Sequence, residues 1–460
     1  MCGEDEWTVS GGMRSVITAG AARKGDNTWT LDEVARVLAE LPEDRAPQVG
    51  FIGYGGTTVG DRVLIAADTH YDRSVLDAFA AALRDKGATV DVLVTEAEPD
   101  REFDYLDEIR STIRDTHWTN APRRWEGIPY VEEFARSAGY DLLLHGRGGP
   151  TPPTDHRYEQ FPWLKEEHLR QGAGAFPLDL HREINMNTWG RIWQSAGGTV
   201  RLTDPEGTDL TFTLHPEYFD GTRRNFTEKP TRAFGHLLGH APTPIIDKED
   251  ATGVIAGTTS HVGRPFPRIK VHLEGGRVEA IEGGGPYGDA WRELLKETKG
   301  QQYPDFPRPG LFWLWEVAIG TNPWTVRSPN VHMVSSGGFE WERRRSGVIH
   351  CGLGTRWRSD QEAWAAERGI KYGHLHVHLL FSTYKIHRQD GTVETVIDNG
   401  RLAALDDPDV IDTARTYGDP ADLLNERWIP RVPGITAPGS YEDFAVDPAP
   451  YVYADSGRAS

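Results

Sequence analysis

Apolar and polar positions along the chain fall into two textures, and the first is that of an α/β layer. Val63 to Ala67 is a short apolar run flanked by Gly60-Asp61-Arg62 and Asp68-Thr69, and it reads as a buried parallel strand. Ser74 to Leu83 then sets Val75, Leu76, Phe79 and Leu83 at helical spacing, Gly87 suits the residue just past the helix, and Val90 to Val94 returns as a strand. That is a βαβ unit. A helix over Tyr130 to Ser137 and a strand over Tyr140 to Leu144 extend it, so a doubly wound, mostly parallel α/β domain is expected over residues 46–195. Ahead of it, in an N-terminal extension of residues 1–45, Thr30 and Glu33 match a capping box opening a helix from Leu31 to Leu41. Gly146-Arg147-Gly148-Gly149-Pro150 lacks GxGxxG spacing, so a dinucleotide site is not supported.

From about residue 196 the period shortens to two. Thr199–Thr203 and Leu210–Leu214 flank a Pro205-Glu206-Gly207 turn, and Ile269–Leu273 and Val278–Ile281 flank Gly275-Gly276, where a tight loop requires positive φ. A helix around Ala290 to Thr298 interrupts these hairpins, and Val393–Ile397 runs into a tight turn at Asn399-Gly400. A β-rich α+β C-terminal domain is therefore expected over residues 196–401, and the candidate metal-binding residues described below fall within it. The acidic, Pro-rich remainder, residues 402–460, reads as an extension.

Charge and composition narrow the partners. A chain of 460 residues is long enough for two or three domains, and a formal charge of −19 repels nucleic-acid backbones and anionic membranes. The acidic start, Met1 to Glu6, and the lack of an apolar run of about 18 residues predict neither a signal peptide nor a membrane helix. A cytoplasmic protein is expected. Its two cysteines, Cys2 and Cys351, make neither a disulfide framework nor a thiolate zinc site, so a metal would be held by His, Asp or Glu.

The chain's 17 histidines concentrate the chemistry. In Gly373-His374-Leu375-His376-Val377-His378-Leu379 a strand would put three imidazoles on one face and Leu375, Val377 and Leu379 on the other. A lone histidine is most often a satisfied polar residue; three at period two are costly to bury without hydrogen-bond or metal partners. Glu316 sits inside the apolar run Leu314 to Ile319 and needs a cation, either a metal or an arginine such as Arg343, Arg344 or Arg345. His350 closes a short apolar strand between glycines and is ambiguous alone.

In chain order these segments resemble the aminopeptidase T family of metallopeptidases. Thr203 to Leu210 is similar to its GTDL hairpin, Gly253 to Gly257 to the strand after its first ligand, Glu316 to the glutamate of its E-x-G-x-G-x-N element, His350 to the histidine of G-x-H-x-A-x-G, and His376 to the histidine of H-x-D. Two positions depart: His378 stands where the family has aspartate, and Gly239-His240 is the nearest match to a Gly-Glu ligand. A pair of ions relies on bridging carboxylates, and Glu316 alone remains at the matched positions, so one metal is easier to hold than two.

The same family fold includes 2,5-dihydroxypyridine 5,6-dioxygenase, a ring-cleaving enzyme with one ferrous ion. The resemblance thus implies Glu316, His376 and His378 as a 2-His-1-carboxylate set for Fe(II), a small hydroxylated aromatic or heteroaromatic substrate with O₂, and His350, His240 or His374 as acid or base. The competing expectation is a metalloaminopeptidase using Zn(II), Co(II) or Mn(II), with Asp247, Glu249 or Glu342 as further carboxylates. A third is a metal-stabilised binding protein without catalysis. A homodimer is expected. His70 and His145, each following a strand of the first domain, read as solvent-facing loop residues or as ligand contacts. Phe312, Trp313, Trp315 and Trp324 would line an aromatic pocket, a core or a subunit interface.

Overall fold

The computed structural model describes residues 30–40, 54, 56–96, 109, 112–115, 131–145, 157–161, 165–170, 172, 175–216, 246–260, 263–327, 344–355 and 360–455. It is a mixed α/β structure with three sheets among these residues. Helix α1 (Leu31–Glu40) opens with the capping box: Thr30 Oγ1 donates to Glu33 Oε2 at 2.7 Å, and the Glu33 amide donates back to Thr30 Oγ1 at 3.3 Å. Its Val34, Ala35, Leu38 and Ala39 are buried, and Lys86, just past the next helix, donates to the Ala39 carbonyl. The helix is part of the α/β layer's core.

That layer is built on strands β1 (Arg62–Asp68), β2 (Thr89–Thr95), β4 (Leu142–His145) and β5 (Arg157–Gln160), with β3 (Ile113–Arg114) leaving for another sheet. The order is β2-β1-β4-β5 and the pairings are parallel, Ile65 lying opposite both Val92 and Leu144. Helices α2 (Arg73–Asp85) and α3 (Val131–Ser137) cover it, and Gly87 ends the first with φ 92°, as its spacing suggested.

The second sheet is eight-stranded, in the order β10-β9-β8-β7-β6-β14-β15-β16. Its hairpins are those the alternation predicted: β6 (Thr199–Asp204) with β7 (Thr208–Thr213), and β9 (Pro265–Glu274) with β10 (Arg277–Gly283), the latter turning on Gly275 and Gly276 at φ 61° and 78°. Strand β8 (Thr252–Thr259) is central. The third sheet is β11 (Leu314–Ile319), β12 (Ile349–Gly354), β13 (Tyr372–Leu379) and the short β3, all antiparallel.

The eight-stranded sheet and the four-stranded sheet that carries β13 pack face to face. A Cβ placed on Gly257 of β8 would lie 2.7 Å from Val377 Cγ1 and 3.0 Å from the His378 carbonyl, so the apolar face of β13 lies directly on β8. Strand β14 (Thr383–His387) follows β13 after a tight bend and returns to the eight-stranded sheet beside β6, with β15 (Val393–Asp398) and β16 (Arg401–Leu402) beyond it.

Residues 402–455 are packed rather than loose. Val432, Phe444 and Val452 form an apolar cluster with Val348, Leu380 and Phe381, residues that border the ends of β12 and β13. Tyr441, on a helix over Tyr441–Val446, reaches the buried Glu206 at 3.3 Å, and Thr258 Oγ1 donates to the same carboxyl oxygen at 2.9 Å. Burial, reinforced by Asp204, pushes Glu206 up to about 8, and burial pushes Asp204 up to about 6.

The Arg344-Arg345 pair is also buried. Arg345 Nη1 donates to Glu426 Oε1 at 3.0 Å and Ser346 Oγ to the same oxygen at 2.8 Å. It is an internal ion pair with the C-terminal segment, which settles against an exposed arginine loop; Arg343 lies outside the described residues. Among the described residues no helix is long and apolar enough to cross a membrane.

Candidate metal centre

Three adjacent strands deliver the site, and their register explains why its residues meet. Glu316 of β11 and His376 of β13 both lie opposite Gly352 of β12, and one rung away Ala318 and His378 both lie opposite His350. Residues opposite in antiparallel pairs share a face, and alternate residues on a strand do too. Glu316, His350, His376 and His378 therefore project from one side of the sheet, and His374 joins them. Gly352 is the notch between them. A Cβ there would lie 2.8 Å from Glu316 Oε2 and 3.1 Å from His376 Nε2, so only glycine leaves room for the carboxylate and imidazole to converge.

Glu316 Oε2 lies 3.2 Å from His350 Nε2 and 3.5 Å from His376 Nε2, all three residues being buried. One ligand atom from each lies within 4.8 Å of the others. Three donors about 2.1 Å from one ion stand roughly 3.0–3.4 Å apart, so this spacing is suited to a single metal. Burial holds the His350 imidazole well below its usual range, the Glu316 carboxylate working against that and His376 with it. A neutral imidazole offers a lone pair, the form a metal requires.

His378, expected as a ligand, lies against His350. Its Nε2 lies 2.6 Å from Nδ1 of His350, and it is fully buried. With His350 Nε2 facing Glu316, the complementary tautomer has Nδ1–H donating to His378, which is how an outer partner fixes the orientation of a ligand imidazole. The structure thus groups Glu316, His350 and His376 and sets His378 behind His350.

His374 sits at the outer end of the same row. Its Nδ1 lies 2.8 Å from the Thr355 carbonyl, which can only accept, so Nδ1 carries a proton. Its Nε2 lies 3.2 Å from Oε1 of the buried Glu362, which Thr355 Oγ1 also contacts at 3.1 Å. Burial, with His376 next, pushes the ring down to about 3. The ring is therefore neutral, with its Nε2 edge facing the Glu362 carboxyl. A register shift between Leu314 and Glu316 lets Trp315 stand beside this row, its ring centroid 6.2 Å from that of His374 and 6.1 Å from that of His376.

His240 and Glu342 lie outside the described residues. Glu249 is ion-paired with Arg308, and Asp247 lies on the short helical turn Ile246–Lys248. His70 and His145 are not solvent-facing: both sit at the C-terminal ends of parallel strands, His145 buried and His70 half-buried with Nδ1 3.4 Å from Asp68 Oδ1. Phe312, Trp313 and Trp324 belong to the core, and of the aromatic cluster Trp315 is the residue beside the histidines. Periodicity within single strands could not single out Gly352, whose role comes from pairing between strands, or Glu362, which a helix over Asp360–Glu367 brings to His374; no local pattern encodes either.

No protein-family model matches the chain, and a search of curated proteins gives no match. Among solved structures, similar chains include a 2,5-dihydroxypyridine dioxygenase from Pseudomonas putida KT2440, at TM-score 0.44 and 13% identity over 81% of this chain and 96% of that one. AmpT from Thermus thermophilus is similar at TM-score 0.40 and 16% identity over 81% of this chain and 98% of the other. At these values the likenesses say nothing about chemistry, and the site is read from its own geometry.

Proposed function

We propose that the protein is an enzyme with one divalent metal held by Glu316, His350 and His376, and that it is a non-haem Fe(II) dioxygenase opening the ring of a small hydroxylated aromatic or heteroaromatic compound. The observation that carries this reading is the convergence of Glu316 Oε2 with two imidazole Nε2 atoms at 3.2 and 3.5 Å across a glycine notch. Two imidazoles and one carboxylate leave other coordination positions open, the arrangement that suits Fe(II) with a chelating substrate and O₂. Ferrous iron, when bound, would hold the hydroxylated ring and O₂ side by side and relay electrons from the ring to O₂.

The chain's own residues do the rest. Burial excludes water from the donor set, with Glu316 and His376 each 2% exposed and His350 0%. His378 keeps the His350 proton on Nδ1, leaving Nε2 for the metal. His374, beside the Glu362 carboxyl, is the group set to exchange a proton with a ring hydroxyl.

A second reading is favoured by the same donor set, because two histidines and a glutamate also hold zinc in hydrolases. Such hydrolysis draws on a carboxylate base beside the metal-bound water, whereas the further carboxylate in this row, Glu362, is engaged by Thr355 and His374. The deciding experiment is metal analysis of the purified protein joined to paired assays. One iron per chain with O₂ uptake on dihydroxylated ring compounds and loss of ring absorbance is expected. Oxygen-independent release of amino acids from Leu-containing dipeptides, driven by added zinc or cobalt, would establish the hydrolase instead.

A further inference from the structure

Glu206, on the turn between β6 and β7, links the eight-stranded sheet to the C-terminal segment. It is fully buried; its Oε1 accepts from Thr258 Oγ1 of β8 at 2.9 Å and from the Tyr441 hydroxyl at 3.3 Å, while its Oε2 has no hydrogen-bond partner among the described residues. Charged and titratable neighbours come from several elements. Asp204, on its own turn, accepts from the amides of Glu206 and Phe381, each at 2.9 Å. Arg268 of β9 hydrogen-bonds to the Tyr441 hydroxyl, stands 5.6 Å from the centre of that ring and favours the charged form of Glu206. Cys351 of β12 senses Asp204, and burial keeps its thiol protonated. From β13, Val377 and the His378 carbonyl lie against Gly257, and neither titrates.

We propose that Glu206 and Tyr441 form a proton-dependent latch: the C-terminal segment, residues 440–455, stays docked while Glu206 carries its proton and loosens when Glu206 ionises. The geometry makes the helix over Tyr441–Val446 the element that yields. Thr258 and Cys351 lie in paired strands, and Asp204 ends one, whereas Tyr441 is half-buried on a helix of six residues. The chain reaches that helix through residues 434–440, none of them buried, turning at Gly434 and Gly439 with φ 78° and 137°. A carboxylate with a buried, unpartnered oxygen beside Asp204 is costly, and lifting the helix would admit water to it. Burial, then Asp204, raises docked Glu206 from 4.5 to about 8. Docking is therefore strongest below the exposed value, weakens as pH rises toward 8 and is constant above. Asp204, raised to about 6 by burial, acts mainly at lower pH. The same segment places Val432, Phe444 and Val452 on Val348, Leu380 and Phe381, so the latch is felt where β12 and β13 end.

The test is amide hydrogen exchange of the full-length protein at a series of pH values from about 6 to 9, corrected for the intrinsic rate at each pH. The opening constant of the amides in residues 441–455 should rise up to about tenfold per pH unit between roughly pH 6.5 and 7.5 and level off above about 8. It should also exceed that of β9 throughout, because the segment opens without the sheet. Glu206→Gln should remove the pH dependence. If that variant does not fold, Tyr441→Phe decides: with one donor to the carboxylate gone, the levelling-off should move to higher pH, whereas a side chain that merely packs would change the size of the opening constant and not its pH dependence. Opening that does not vary with pH, opening in step with β9, an unchanged profile in Glu206→Gln, or an unmoved levelling-off in Tyr441→Phe overturns the proposal.

Discussion

Nδ1 of His350 and Nε2 of His378 lie 2.6 Å apart in a fully buried pair. This contact assigns different work to two histidines that lie opposite each other on neighbouring strands, one rung from Glu316. His350 turns its other nitrogen to Glu316, and His378 holds the ring that does so.

Separate variants should resolve the two roles. His350→Ala is expected to abolish stoichiometric metal binding, whereas His378→Ala should retain one site with affinity lowered about 10- to 100-fold, as loss of an outer partner does. Chelator competition measures both, and the visible spectrum of the cobalt-substituted protein reports whether the donor set changes. Equal, complete loss of the site in both variants would mean that His378 is itself a ligand.

Gly352→Ala should remove metal binding while leaving most of the sheet intact. The added methyl would lie 2.8 Å from Glu316 Oε2 and 3.0 Å from Glu316 Cβ, so the carboxylate must swing out of the donor set. Near-native affinity in a folded Gly352→Ala protein, read by the same competition, would contradict the notch.

Stability should fall as pH rises across the neutral range, through Glu206. Its folded value is raised from 4.5 to about 8, so between those values the folded chain keeps a proton that the unfolded chain has released. The contribution is fully present below about pH 4.5, is lost progressively toward pH 8, and is flat above. Denaturant unfolding at a series of pH values checks this. Glu206→Gln should flatten that part of the profile and be the more stable protein at pH 8.

Glu426→Ala should destabilise the fold by about 3–5 kcal/mol, because it leaves the buried Arg345 guanidinium without its carboxylate. Ser346 and the Leu380 carbonyl, partners of Glu426 and Arg345, border β12 and β13, so metal affinity should fall with stability. Urea unfolding gives the first quantity, and chelator competition in the folded range gives the second.

Much of this protein is legible locally. The Thr30–Glu33 cap, the run from Val63 to Ala67, the glycine turn at Gly275-Gly276 and the alternation from His374 to Leu379 each specify an element through interactions spanning a few residues. The sequence also marks Glu316 and the three alternating histidines as groups too costly to bury without partners. Which histidine faces which partner is another matter. That depends on the register by which β12 aligns Gly352 with Glu316 and His376, and His350 with His378. Register is set by sheet packing and turns far along the chain, and a slip of one residue would turn every side chain to the other face. Local pattern therefore determined that an imidazole-rich strand and a buried carboxylate exist. Only the tertiary structure decided that His350 joins Glu316 and His376, and that His378 stands behind it.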